Sequence, residues 1–327
     1  MHRILKLLCL GLMVFVLAGW SQASEIKIVA LNIEWFPGQR MRPSSHEVER
    51  HIADTREALG ELAPDILIAT EICEEAAFRD VLGAVPGLDL HVISNFRFSE
   101  DDSEDRRNQQ IAIASRLNAY AAWAEPWEVT MDNLRRGFAF TALENPETGR
   151  LILVYGLHLK SNKSSSPEED QQNFNIRDES IRQLLDHMAR MEEQFADIGI
   201  DAWIVGGDVN TNDDGQFGDN VIRMMVDAGY WNSWANTPRE ERLTWKARGP
   251  FSTTTFDYIF TKGLGEMDAQ LVLTDDSVSD HNAVVLYVDL PSAIAPEIET
   301  PADLEAVIDA DASEEVAEPT PSEVGQD

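Results

Sequence analysis

The sequence predicts an α/β fold built on mixed β-sheets, and three observations carry that prediction. Short apolar runs of strand length, bounded by turn residues, outnumber the segments with helical periodicity. The helical segments are interspersed among them. Several strand pairs are separated by short turns alone, which breaks the strict alternation of a doubly wound parallel sheet. The chain has 327 residues, 43% of them hydrophobic, enough apolar surface for a sizeable core.

Each element follows from its local pattern. Residues 26–33 alternate apolar and polar side chains and read as a first strand. Residues 46–62 place Val48, Ile52, Leu59 and Leu62 along a helix, which Pro64-Asp65 ends. Residues 66–69 form a short buried strand running into Thr70-Glu71, and a helix from about 74 to 82 follows. Residues 91–93 and 111–114 are strands separated by a polar, acidic loop. Residues 138–143 and 151–159 are strands joined by a turn at 145–149. Residues 176–195 carry a long helical pattern, 202–205 a core strand and 221–228 a further helix. Strands at 256–260, 270–273 and 283–288 complete the pattern. With no internal repeat and no linker before Pro291, residues 24–290 read as one domain.

The two ends differ from this body. Arg3 and Lys6 precede an apolar stretch, residues 7–18, and Ser21-Gln22-Ala23 offers small residues for cleavage. Residues 1–23 therefore read as a secretory signal peptide. The apolar stretch is short for a membrane span, so no stable anchor is expected after cleavage. The expected location is outside the cell or in the periplasm. From Pro291 to Asp327 there are eleven Asp or Glu and no Lys or Arg, among Pro, Ala, Ser and Thr. That composition predicts a disordered acidic tail. Cys73 is the one cysteine beyond the signal segment, so an intrachain disulfide is excluded and a buried, inert thiol is expected.

The formal net charge is -32, and the body stays strongly acidic when the tail is set aside. This argues against tight, sequence-independent nucleic-acid binding through a broad basic face. It does not exclude a local basic cleft with bound divalent cations.

Polar residues stand at the ends of the buried-looking strands. Gly206-Gly207-Asp208-Val209-Asn210 follows Ala202-Trp203-Ile204-Val205, and Ser279-Asp280-His281 precedes Ala283-Val284-Val285-Leu286. Asn32 and Glu34 follow the first strand, Glu71 ends the second, His158 lies in Gly156-Leu157-His158-Leu159, and Asp257 lies in Phe256-Asp257-Tyr258. Each has an ordinary reading: a turn for Asn32, a helix cap for Glu71, a hydrogen-bonded core histidine for His158, an Asx turn for Asp208 and Asn210. Asp257, flanked by Phe and Tyr, needs a partner once desolvated, and His281 is the candidate.

Taken in order, these segments resemble the endonuclease/exonuclease/phosphatase superfamily, the fold of pancreatic deoxyribonuclease, over about residues 25 to 290. The matching pieces are Leu31-Asn32-Ile33-Glu34, Ile68-Ala69-Thr70-Glu71-Ile72, Gly156-Leu157-His158-Leu159, Gly206-Gly207-Asp208-Val209-Asn210, Phe256-Asp257-Tyr258-Ile259-Phe260 and Ser279-Asp280-His281. The resemblance implies a four-layer sandwich: two mixed β-sheets packed face to face, with helices on the outside. It also implies a divalent metal, Mg²⁺ first with Mn²⁺ or Ca²⁺ as alternatives, and phosphoric ester hydrolysis. By the same resemblance, Glu71 is the principal metal ligand, Asn32 and Glu34 support that site, and Asp280 lies beside it. Many members carry Asp or Gln where this chain has Glu34. Asp208 orients or deprotonates the attacking water and Asn210 holds the phosphate. His281 acts at the phosphate with Asp257 behind it, and His158 contacts the phosphate from the other side. Arg136, Lys160 and Arg177 are the candidate phosphate contacts.

His158-Leu159-Lys160-Ser161-Asn162-Lys163 resembles a segment of bacterial extracellular nucleases, so a secreted nuclease acting on DNA or RNA is the favoured expectation. A phosphatase or sphingomyelinase-type phosphodiesterase on a small or lipid phosphate ester is the alternative, favoured by the acidic body. The aromatic run 231–234 is too short for a membrane-inserting hairpin and is expected to line core or cleft. A catalytically dead binding module is disfavoured because every expected site residue is present.

Overall fold

Alternation along the central strands sets up the layers. The structure, a computed structural model, describes residues 25–97, 108–131, 136–248 and 251–292. The expected signal peptide and the acidic tail from residue 293 onward lie outside the described residues. Apart from Ser292, these residues fall in one compact unit ending at Pro291.

In β1 (Glu25–Phe36), Ile28 and Ala30 join one apolar cluster, while Val29, Leu31 and Ile33 join another. β2 (Ile66–Ile72) divides Ile66 and Ile68 from Leu67 and Ala69 in the same way, and β4 (Gln110–Ser115) divides Ile111 and Ile113 from Ala112 and Ala114. Strands apolar on both faces belong in a sheet covered on both sides. On one side α1 (Ser45–Leu62) supplies Leu59 and Leu62, and α2 (Glu75–Leu82) supplies Phe78 and Val81. The other side faces the second sheet. A capping box starts α1: Glu47 N–H donates to the Ser44 hydroxyl, and the Glu47 carboxylate accepts from Ser44 N–H at 2.7 Å.

The first sheet adds β3 (Asp89–Ile93), β11 (Gln270–Val272) and β12 (Ala283–Asp289), in the order β11-β12-β1-β2-β4-β3. The second sheet contains β5 (Ala119–Pro126), β6 (Gly137–Glu144), β7 (Leu151–His158), β8 (Ile200–Asp208), β9 (Trp231–Asn232) and β10 (Asp257–Lys262), in the order β5-β6-β7-β8-β10-β9. β1 runs parallel to β2 and β7 parallel to β8, while the remaining pairs are antiparallel. Both sheets are mixed, as expected. α3 (Pro167–Gln194) and α4 (Val221–Asp227) cover the outer face of the second sheet. There the Tyr155 hydroxyl of β7 meets Nδ1 of His187 on α3 at 3.1 Å. The result is the four-layer sandwich. Among the described residues no helix is long and apolar enough to cross a membrane.

Beyond the short β9, which the sequence reading did not expect, two larger differences stand out. α3 begins at Pro167 rather than near 176. Its first nine residues, Pro-Glu-Glu-Asp-Gln-Gln-Asn-Phe-Asn, carry almost no apolar period; the Ser166 cap, Pro at the first turn and three acidic residues there start the helix instead. β5 was not expected at all. Its sequence Ala-Tyr-Ala-Ala-Trp-Ala-Glu-Pro is poor in β-branched residues, and it is an edge strand held by pairing with β6.

Candidate active site

The inner face of the sandwich turns from apolar to polar at one end. Along β1 the inward positions run Ile28, Ala30, Asn32; along β7, Ile152, Val154, Gly156, His158; along β8, Ala202, Ile204, Gly206, Asp208. β7, β8 and β10 carry His158, Asp208 and Asp257 on one rung, since His158 pairs with Asp208 and Asp208 with Asp257. Strand direction does the rest: β1, β2, β7 and β8 end here while β10 and β12 begin here.

Glycines let the sheets close behind these residues. A Cβ on Gly206 would stand 2.8 Å from Cδ1 of Ile68 in the opposite sheet. Gly207 has φ +126, and a Cβ there would stand 2.1 Å from the Leu157 carbonyl oxygen. The Gly-Gly before Asp208 is therefore a packing and twist requirement.

Backbone strain gathers at the same place. Glu34 (φ 41), Trp35 (φ 52), Glu71 (φ 66), Arg136 (φ 70) and Asn210 (φ 53) all hold left-handed conformations at this end of the sandwich. Such conformations cost energy for non-glycine residues and persist where surrounding contacts enforce them.

Asn32 is the hub. Its amide nitrogen donates to Glu71 Oε1 at 3.2 Å and to Asp208 Oδ2 at 3.1 Å, and its oxygen accepts from Glu34 N–H at 3.0 Å. That last bond fixes the amide orientation. The nitrogen rather than the oxygen therefore meets the carboxylates, so Asn32 faces Glu71 and Asp208 as a hydrogen-bond donor. Glu71 Oε2 accepts from Trp35 N–H at 2.9 Å. Burial first, and then the charge of Asp280, push the Glu71 carboxyl above its ordinary range, against the pull of His281 and Asn32. Glu71 does not cap α2, whose cap position is Glu74.

Glu34 departs from the expected ligand role. Arg248 holds its carboxylate with both guanidinium nitrogens, Gln39 Nε2 donates to it at 3.1 Å, and Asp280 N–H donates to it at 3.1 Å. This carboxylate is committed to fixing the strand ends. Asp280 accepts from the Trp245 indole N–H at 3.2 Å and stands 3.9 Å from His281 Nε2.

His281 Nδ1 lies 2.7 Å from Asp257 Oδ2, deep in the fold. Its Nε2 faces Asp208 Oδ2 at 4.0 Å. Burial lowers the affinity of this ring for a proton, but Asp257, Asp208 and Asp280 overcome it and push the pKa up to about 10. His281 is therefore an imidazolium at neutral pH. Asp208 is pushed up to about 7, by burial first and then by Asp257, with His281 opposing. His158 goes the other way. Burial, and then the charges of Arg136 and His281, hold it well below the ordinary histidine range, so it is neutral. Its Nε2 lies 3.8 Å from Glu71 Oε1 and 3.7 Å from Asp208 Oδ2, and its buried Nδ1 has no hydrogen-bond partner.

The oxygens of Glu71 and Asp208 and a nitrogen of His158 all lie within 4.8 Å of one another. Two carboxylates and a neutral imidazole at that spacing can hold a divalent cation, and burial raises the proton affinity of both carboxyls in its absence.

Other expected contacts are used inside the protein. Arg177 is fully buried, ion-paired with Asp219, and donates to the Lys160 carbonyl at 2.9 Å. It fixes the segment after β7 and does not reach a substrate phosphate, which corrects the expectation. Arg136 donates to the carbonyls of His158 and Leu159 at 3.3 and 3.2 Å and to Gln109 at 2.8 Å. Asn210 donates to the Leu159 carbonyl at 3.2 Å while its own carbonyl accepts from Asn162. Lys160 is half-buried beside them, and burial followed by the charge of Arg136 lowers its pKa. Cys73, expected to be buried, is half-buried, and its thiol donates to the Glu71 carbonyl at 3.7 Å. Trp234 is buried, as expected, and its indole donates to the Asp257 carbonyl at 2.9 Å.

Trp245 and Arg248 escaped the sequence reading. Both lie in the irregular stretch ahead of Asp257, and the available signal was an aromatic and a basic residue set close before that strand. A cavity of about 540 Å³ between α1 and β11–β12 lies away from all of these residues, lined by Asp54, Glu61 and Leu273 among others. The catalytic reading rests on the strand-end convergence and not on that cavity.

No family model and no curated protein matches the sequence. Solved structures do. Truncated TDP2 from Caenorhabditis elegans aligns with a TM-score of 0.54 at 16% identity, covering 81% of this chain and 98% of that one. An endonuclease/exonuclease/phosphatase family protein from Leptotrichia buccalis aligns at 0.56 and 16% identity, covering 81% and 100%. SmcL aligns at 0.60 and 16% identity, covering 81% and 99%. At such identities the likeness is one of fold: the chain has the endonuclease/exonuclease/phosphatase fold that its motifs resemble.

Proposed function

We propose that the chain is a divalent-metal-dependent phosphodiesterase, and that its substrate is nucleic acid. The observation that supports the chemistry is the meeting of Asn32, Glu71, His158, Asp208, Asp257 and His281 at one end of the sandwich. The nuclease reading rests on the segment from His158 to Lys163. Mg²⁺ is the proposed metal and the signal segment the basis for proposing a secreted or periplasmic protein.

Glu71 would hold the cation, with Asp208 and His158 within reach and Asp280 adding charge nearby. When bound, such an ion supplies positive charge to the non-bridging phosphate oxygens. The chain's own groups do the rest. His281, kept protonated by Asp257, places an imidazolium where charge develops on the phosphate and carries a proton for the leaving oxygen. Asp208, set by Asn32 and by Asn210 N–H, orients the attacking water. His158, neutral, donates or accepts without adding charge. Arg136 holds the end of β7 so that the imidazole of His158 stays aimed into the site.

The test is hydrolysis of plasmid DNA, single-stranded DNA and RNA with Mg²⁺, with Glu71→Ala and His281→Ala as controls. Cleavage by the wild type alone supports the reading. Release of phosphocholine from sphingomyelin vesicles without nucleic-acid cleavage would replace the nuclease by the alternative. Failure on bis-(p-nitrophenyl) phosphate and on all of these substrates would sink the enzyme reading.

A further inference from the structure

An exposed aromatic at the edge of an acidic protein needs a reason. Phe251 is 68% exposed, yet its ring is not isolated. It stands 6.2 Å from Trp245, whose ring stands 5.5 Å from Phe256, itself 5.8 Å from Phe217. The four rings form a strip in which Phe256 is buried, Trp245 and Phe217 are half-buried and Phe251 is exposed. Trp245 ties the strip to the site: its indole N–H donates to Asp280, and its main chain bridges His281 on one side and Thr254 on the other. Arg248, paired with Glu34, stands three residues along. A fixed aromatic wedge, an open aromatic face and a guanidinium therefore adjoin the proposed phosphate position.

We infer that Trp245 and Phe251 form a stacking subsite for an unpaired nucleobase next to the scissile phosphate, with Arg248 at its rim. This rests on the nuclease reading above. The overall charge strengthens the inference. Phosphate attraction normally dominates nucleic-acid affinity, and at a formal charge of -32 it works against binding. Short-range contacts then carry more of the affinity, and stacking of a base on an aromatic face is such a contact. Every base has such a face, so the subsite selects single-stranded over duplex substrate without selecting sequence. A lipid surface is less well served. Phe251 leans against Trp245 with the two rings tilted at 56° rather than standing clear of the surface.

The test uses the full chain carrying His281→Ala, so that binding is read without turnover. The probes are a thymidine octamer, the same octamer with every base replaced by an abasic unit, and the octamer in duplex. The expected result is that the thymidine octamer binds roughly 5- to 50-fold tighter than the abasic one. Phe251→Ala removes that advantage and leaves abasic affinity where it was, while Phe251→Tyr keeps it. The ratio of thymidine to abasic affinity changes little between low and moderate salt, unlike the phosphate contribution common to both. Equal affinity for the two octamers would overturn the inference, as would equal loss on both in Phe251→Ala. With phosphatidylcholine–sphingomyelin vesicles as a fourth probe, loss of vesicle binding alone in Phe251→Ala would overturn it in favour of a membrane contact. If the wild type cleaves DNA but shows no base dependence, the subsite falls alone. If base-dependent binding holds but nothing is cleaved, the enzyme reading falls and the subsite stands.

Discussion

His281 and Asp257 meet at 2.7 Å although they belong to opposite sheets. Asp257 opens β10 in the second sheet, and His281 lies just ahead of β12 in the first. The pair joins the two layers at the end of the sandwich, and it keeps a buried imidazolium charged.

Asp257→Asn keeps the shape and removes the charge. The expected result is a fall of about 10²- to 10⁴-fold in kcat with a much smaller change in KM. The imidazole signal of His281 should titrate well below the wild-type value. Nuclear magnetic resonance titration together with steady-state kinetics checks both; unchanged kcat would remove Asp257 from the mechanism.

Glu71→Gln separates function from stability. It removes a half-buried charge but sets an amide NH2 against the Asn32 or Trp35 N–H donor, so the urea stability of the metal-free protein should change by no more than about 1 kcal/mol. The same variant should lose activity. Added Mg²⁺ should raise the melting temperature of the wild type and leave that of the variant almost unmoved. A variant that still melts higher with Mg²⁺ would place the metal elsewhere.

Gly206→Ala should destabilise by about 1–3 kcal/mol, because the new methyl meets Cδ1 of Ile68. Ile68→Val deletes that atom. The double variant should therefore recover part of the loss, a coupling that urea denaturation of the four proteins measures. Strictly additive effects would show that the contact does not limit sheet packing.

Stability should also fall in mild acid through His187. Burial, and then the charge of Arg190, hold this ring down to about 4 in the folded protein, against about 6.5 when unfolded. The unfolded chain then binds the proton first. The contribution is fully present above pH 6.5 and is lost as pH falls towards 4. It amounts to at most about 3 kcal/mol, reduced to the extent that Glu125, 3.5 Å from the ring, favours the charged form. Denaturation at pH 7.5 and 4.5 should show a smaller drop for His187→Gln than for the wild type.

Much of the site could be read before the fold was known, because strand ends announce themselves. Asp208 and His281 each adjoin an apolar run too short for a helix, and Asp257 sits inside one. The roles were less legible. Glu34 and Arg177 carry the right charges, but Arg248 and Asp219 hold them, and no local pattern marks partners separated by 214 and 42 residues. Edge strand β5 was hidden for a related reason: its stability comes from the neighbour and not from its own residues.

By itself the sequence determined the mixed-sheet class, most of the elements and the set of polar residues at the strand ends, because periodicity and turn chemistry are local. Only the tertiary structure decided what those residues do. Asn32 meets Glu71 and Asp208 with its nitrogen, His158 is neutral while His281 is charged, and Trp245 stands beside Asp280. Protonation, amide orientation and ion pairing depend on burial and on charges brought from distant strands, so they come into being only when the two sheets close.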